Sequence, residues 1–258
     1  MIEACKGKQN ALLESPIGAG KTLALLSAVV AFIKMQETPT TLIYCTRSAS
    51  HSSKVARKLN QLAYQVQAQV LAPKQQLCAF IDDRSDEQQL EIECSQLRLS
   101  RPRDHGDPKK KLEPNLANEL RSGCPFYCGE EMQMSDPSAF SEKRFNPVID
   151  LLSERIESRC MDVEELAAIG KQKGICPYHF AKSKVGGADV LVVPYQYLLE
   201  AGMRKQLQLN LRNSVIVFDD AHNIDSDCED VFSFDVQIEH FWHAFHYLDT
   251  FSKQMRCD

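Results

Sequence analysis

The stretch Ser15-Pro16-Ile17-Gly18-Ala19-Gly20-Lys21-Thr22 limits what this chain can fold into more than any other. Glycines at 18 and 20 free the backbone to turn successive N–H groups inward around an anion. The apolar run from Thr22 to Lys34 reads as a helix whose positive N-terminal end completes that cradle. The pattern is a phosphate-binding loop, GxxxxGK[ST], with Ser15 standing where the first glycine is usual. Such a loop joins a strand to a helix, so it commits the chain to an α/β architecture, with Ala11-Leu12-Leu13 as the expected strand. Ser15, Pro16, Gly18, Ala19 and Gly20 would then line the phosphates of ATP. Lys21 would reach the β- and γ-phosphates, and the Thr22 hydroxyl would ligate Mg²⁺.

A P-loop of this kind needs an acid at the end of another strand, and the rest of the chain offers one. Strands are expected at Thr41–Cys45, Val66–Leu71, Asp189–Val193 and Val215–Phe218. Helices are expected around Val55, Leu59 and Leu62 and from Tyr197 to Leu209. The last strand runs straight into Asp219-Asp220-Ala221-His222. Taken alone, that is any strand surfacing into a polar turn. Following a P-loop, it is a centrally buried strand whose carboxylates emerge at the sheet's C-terminal edge, where open α/β sheets hold ligands. Asp219 is the expected second Mg²⁺ ligand.

Composition bears on the remaining questions. A net charge of -5 gives no global sign of nucleic acid, although a local basic groove is enough for binding. No signal-peptide core opens the chain, and the apolar run Leu23–Ile33 is too short to span a bilayer. The expectation is a soluble intracellular protein with no membrane partner. In that compartment the 10 cysteines point to metal or to buried thiols rather than to disulfides. Most of them fall in 72–187, a polar segment poor in strand signals that interrupts the α/β pattern. Cys124 and Cys128 have zinc-like spacing, and Cys160 or His179 would complete such a site. The other cysteines of the segment are scattered singly, which suits a zinc ribbon poorly. Residue chemistry leaves the metal open.

With SPIGAGKT, IYCTRSASH and VFDDAHNID in one chain, the sequence resembles the iron–sulfur helicases of superfamily 2, the xeroderma pigmentosum group D type. QNALLESPIGAGKTLALL and VPYQYLLE are most similar to the branch containing the regulator of telomere elongation and Fanconi anaemia group J helicases. The resemblance implies an α/β RecA-like motor domain 1 in two parts, 1–71 and 188–231. A mostly helical iron–sulfur insertion would occupy 72–187, and 232–258 would begin an arch domain that the chain does not finish. It further implies a [4Fe–4S] cluster on Cys78, Cys94, Cys124 and Cys176, and ATP-driven unwinding of DNA in the 5′-to-3′ direction. Arg47, with Ser48, would grip the DNA backbone. Single-stranded or duplex DNA, a multiprotein repair or transcription complex, and the nucleus follow as expected partners and location.

His222 would couple the nucleotide to a second motor domain, which these residues do not contain. Asp220 stands where the family has the glutamate that activates the attacking water. The replacement is one methylene shorter, and a misplacement of that size costs ~10²-fold in rate. Two other functions therefore stay open: a catalytically silent nucleotide- or DNA-binding fragment, and a zinc-binding P-loop kinase. Also open are the aromatics Phe126, Tyr127 and Tyr178, as base-stacking platforms or as the shell of a metal site. The basic run Arg98–Lys111 reads as a solvated loop or as a strand channel.

Overall fold

Parallel strands with unbroken apolar runs need cover on both faces, and the two central strands of this protein have it. In the computed structural model, which describes residues 1–16, 18–82, 84–99, 124–127, 159–233 and 238–254, the sheet lies in the first of two compact units, Met1–Ala221 and His222–Asp258. Its strands are β1 (Thr41–Thr46), β2 (Ala68–Val70), β3 (Val190–Pro194) and β4 (Ser214–Phe218), in the order β2-β3-β1-β4. All three pairings are parallel. In register, Tyr44 of β1 lies opposite Val192 of β3 and Val217 of β4.

Helices fill in around the sheet. A short α1 (Ile2–Gly7) precedes α2 (Lys21–Lys34), which turns Leu26, Val29, Val30 and Ile33 inward. After β1, α3 (Ala49–Leu59) buries Val55, Ala56 and Leu59. The Ser48 side chain caps α3 by accepting from the His51 N–H. Because all strands run the same way, the loops after β1 and β4 and the start of α2 are candidates for one functional edge.

Three expectations need correction. Ala11–Leu13 forms no strand: these residues join no ladder, and Leu12 is 93% and Leu13 52% exposed. Two adjacent leucines give no period-two alternation to hold a register. Consequently β4 is not central. Among the described residues it pairs only with β1, and Ile216 is 37% exposed. The helix expected over 197–209 is two, α8 (Tyr195–Leu199) and α9 (Ala201–Gln206), parted by an extended Glu200. Arg204 Nη1 donates to the carbonyls of Leu198 (2.5 Å) and Leu199 (2.8 Å), which the break leaves without helical partners.

The described part of 72–187 is helical, as expected. It contains α4 (Lys74–Leu77), α5 (Glu87–Leu99), α6 (Val163–Lys173) and α7 (Pro177–Ser183). Asp162 and Glu165 close a capping box on α6, and Gly174 ends the helix at φ 69°. Gly170 allows α6 to pack closely on the following turn. A Cβ there would lie 2.3 Å from Pro177 Cγ and 2.8 Å from the Ile175 carbonyl oxygen. Polar contacts fasten this segment to α3. Ser53 Oγ donates to Glu164 (2.8 Å), and Arg57 donates to Asp162 (3.2 Å). Asn60 donates to the Cys160 carbonyl (2.8 Å) and accepts the Cys160 N–H (2.7 Å).

The second unit contains α10 (Ile224–Phe232) and α11 (Ile238–Gln254). Ile238, Phe241, Trp242, Phe245 and Leu248 are exposed along one stripe of α11. No described helix is long and apolar enough to cross a membrane.

Candidate nucleotide and cysteine sites

The glycine loop has the geometry that an anion needs. Gly18 and Gly20 sit at φ 82° and 78°, in the left-handed region that the turn requires, and both face open space. Gly20 is the N-cap of α2 and, having no side chain, supplies no cap to the first N–H groups of the helix. No acidic residue occupies the first turn of α2, and Lys21 makes no ion pair among the described residues. Ser15, Lys21 and Thr22 are half-buried, whereas Pro16, Gly18, Ala19 and Gly20 are exposed.

Asp219 leaves the end of β4 with its backbone fixed on both sides. Its N–H donates to the Cys45 carbonyl (3.0 Å), and its carbonyl accepts from the Tyr195 hydroxyl. The buried Tyr195 ring meets Phe218 edge-on at 5.7 Å. The side chain of Asp219 faces Tyr44, as does the Thr22 hydroxyl. Burial, followed by the negative field of Asp219, raises the Tyr44 phenol far above its ordinary range. No hydrogen bond of ordinary geometry closes on Tyr44 Oη. The loop and the strand-end acid, remote in sequence, thus meet at one buried hydroxyl.

Neither Tyr44 nor Tyr195 stands out in the sequence as a site residue. The available signal is a polar tip inside the apolar run TLIYC and a tyrosine directly after VLVVP. Asp220 is exposed at φ 57°, a left-handed conformation that Asp adopts more readily than most residues carrying a Cβ. His222 opens the second unit, with Nε2 3.0 Å from Asn223 Nδ2.

At the end of β1, Arg47 is exposed. Ser48 is occupied structurally, since besides capping α3 its Oγ lies 3.1 Å from both Ser50 Oγ and His51 Nδ1.

The structure brings Cys78, Cys94, Cys124 and Cys176 into one neighbourhood. Cys94 and Cys124 lie within electrostatic reach of each other and of both Cys78 and Cys176. Burial is the main cause raising the thiols of Cys94, Cys124 and Cys176, the last to about 12. Backbone N–H groups oppose it. Those of Phe126 and Tyr127 point at the Cys124 sulfur, and those of Tyr178 and His179 at Cys176. Cys78 Sγ accepts from the Ile81 N–H at 3.4 Å. N–H groups aimed at sulfur favour thiolate, the ligand form. No set of three or more metal-ligating side chains closes on a single ion among the described residues.

Aromatic rings and cations surround these thiols. Tyr127 and Tyr178 are buried and pack edge-on against His179, at 4.8 and 5.2 Å. Lys74 lies 5.0 Å from the centre of the Tyr178 ring, and Arg98 lies 5.4 Å from that of Tyr127. Both rings therefore form a shell around the cysteines rather than an open stacking platform. His179 is 6% exposed with Nε2 unpartnered, and burial together with Arg98, Lys74 and Lys182 holds it down to about 3. Cys160 lies elsewhere, in the clamp with Asn60. Cys128 and, apart from Arg98 and Leu99, the basic run lie outside the described residues.

Fold and strand-end geometry together define the class: a parallel α/β protein with a glycine loop at a helix N-terminus. A sequence model of the DEAD_2 family matches residues 44–241, and the chain belongs to that family. The P-loop lies ahead of the matched segment. The chain is 29% identical over 269 residues to a regulator of telomere elongation helicase 1 homolog of Arabidopsis thaliana, covering 92% of this chain and 22% of that protein. It is 25% identical to the regulator of telomere elongation helicase 1 of Homo sapiens, covering 92% and 20%. The chain thus spans about a fifth of the length of these relatives. An XPD helicase structure superposes with a TM-score of 0.53 at 19% identity, covering 87% of this chain and 31% of that one. A truncated XPD gives 0.51 at 20% identity, covering 87% and 51%. The RecA-like α/β fold expected from the sequence is the one these structures share.

Proposed function

We propose that this chain is the ATP-binding first-motor portion of an XPD-type DNA helicase serving genome maintenance in the nucleus. The observation that carries the reading is the meeting of Thr22 and Asp219 at Tyr44. It joins a phosphate cradle and a carboxylate as Mg²⁺–ATP requires. Gly18, Gly20 and the first N–H groups of α2 would hold the phosphates, and Lys21 would neutralise them. Thr22 and Asp219 would ligate Mg²⁺, which would polarise the terminal phosphate when bound. Asp220 would orient the attacking water with a shortened reach, and His222 would pass the nucleotide state onward.

Arg47 would contact DNA phosphates at the same sheet edge, with Ser48 holding the turn that presents it. Cys78, Cys94, Cys124 and Cys176 would hold a [4Fe–4S] cluster. The N–H groups directed at their sulfurs and the cations Lys74 and Arg98 beside Cys94 suit an anionic thiolate group. A multiprotein repair or transcription complex is the proposed setting.

A second reading, a silent nucleotide- and DNA-binding module, is favoured by Asp220 alone. DNA-stimulated ATP hydrolysis, measured on the parent and on Asp220→Glu, tests both. The helicase reading expects the variant to gain rate, up to ~10²-fold. Tight Mg²⁺–ATP binding with no hydrolysis in either protein supports the silent module. Failure of the parent to bind ATP contradicts both.

A further inference from the structure

Tyr44 is 0% exposed, and its hydroxyl closes no hydrogen bond of ordinary geometry among the described residues, although the Asp219 carboxylate and the Thr22 hydroxyl lie within reach of it. Its neighbours along β1 are Leu42, Ile43 and Cys45, all buried. A phenylalanine would therefore fill the position without burying a polar atom. A buried hydroxyl whose hydrogen bonds are poorly closed is a standing cost to the folded chain. The register opposite Val217 places the ring near the end of β4, facing the Asp219 carboxylate and the Thr22 hydroxyl. These are the two groups proposed above to ligate Mg²⁺, so the role inferred for Tyr44 rests on that reading.

We propose that Tyr44 is a positioning residue of the Mg²⁺–nucleotide site, its hydroxyl closing a full hydrogen bond to Asp219 once the metal is bound. That bond fixes which carboxylate oxygen turns to the metal, the role that outer partners play around metal ligands generally. That bond closes fully only in the loaded site, which couples metal binding to relief of a poorly satisfied group in the core.

Tyr197 supplies an internal control. Its hydroxyl is also buried and closes no hydrogen bond among the described residues, but the groups that bear on it are Tyr178, Glu87 and Glu91, with neither Thr22 nor Asp219 among them. The experiment titrates a fluorescent ATP analogue into the parent, Tyr44→Phe and Tyr197→Phe, once with Mg²⁺ and once with EDTA. The ratio of the two dissociation constants is the gain in affinity due to the metal. For Tyr44→Phe that gain falls about 3- to 10-fold, the worth of one hydrogen bond, with affinity in EDTA unchanged. For Tyr197→Phe the gain equals the parent's. Both nucleotide-free variants melt no lower than the parent, because each loses an unsatisfied hydroxyl.

An unchanged metal gain in Tyr44→Phe overturns the inference. So does a lower melting temperature for its nucleotide-free form, since the hydroxyl would then be fully bonded without metal. A parent that binds no nucleotide in either buffer defeats the proposed function and this inference with it, whereas equal gains defeat only the inference.

Discussion

The two candidate sites of the first unit are built in opposite ways. The phosphate loop consists of backbone and open space: two glycines in left-handed turns, a helix start with no side-chain cap from Gly20, and a lysine with no ion pair among the described residues. The cysteine neighbourhood is packed side chains, with buried rings, cations over their faces and a histidine kept neutral by burial. An open cradle can exchange its ligand at each cycle, whereas a packed shell suits a group that stays. The first site should therefore tolerate losing its ligand, and the second should not.

The sharpest way to break this contrast is to remove one cysteine. Cys176→Ser should eliminate bound iron and sulfide from anaerobically purified protein and destabilise the surrounding segment, while the nucleotide dissociation constant stays within about twofold. Retention of iron and sulfide by the variant would contradict the cysteine assignment. Stoichiometric zinc without sulfide in the parent would replace the cluster by a zinc site.

A substitution at a glycine probes packing apart from ligands. Gly170→Ala forces a Cβ against the Pro177 ring and the Ile175 carbonyl, and should cost about 1–3 kcal/mol in chemical denaturation. Nucleotide affinity below the transition should not move. A variant as stable as the parent would show that α6 and the following turn have room to shift.

A smaller effect is expected where the segment meets α3. Burial raises the Asp162 carboxyl, but the Glu165 N–H and the Arg57 guanidinium outweigh it and hold the group below its usual 3.8. The stability it contributes is complete above that value and is lost as pH falls through the lower folded-state value. Asp162→Asn should cost about 1 kcal/mol at neutral pH and flatten the loss of stability on the acid side. A variant with the same acid dependence as the parent would assign that dependence to other groups.

Legibility differs between the sites for a physical reason. Gly18, Gly20, Lys21 and Thr22 lie close together in the chain, and a phosphate cradle is a local property of backbone and helix end, so the sequence displays it directly. TLIYC and VLVVP are equally plain because strands covered on both faces are continuously apolar. Ala11–Leu13 and the position of β4 differ from expectation, because pairing depends on partners that a short apolar stretch cannot specify. Tyr44 acquires its importance only through the register of β1 with β4, which no local pattern shows. The cysteines are single thiols far apart in the chain. Family resemblance implies their convergence, while the shell of Tyr127, Tyr178 and His179 becomes apparent only in three dimensions.

The central claim is that the loop before α2 binds Mg²⁺–ATP together with Asp219. Titrating a fluorescent ATP analogue into the parent and Lys21→Ala, with Mg²⁺ present, tests it most directly. The account predicts saturable binding by the parent and a loss of about 10²-fold in the variant, the worth of charge-assisted contacts to the phosphates. Equal affinities, or no binding by a folded parent, would contradict it.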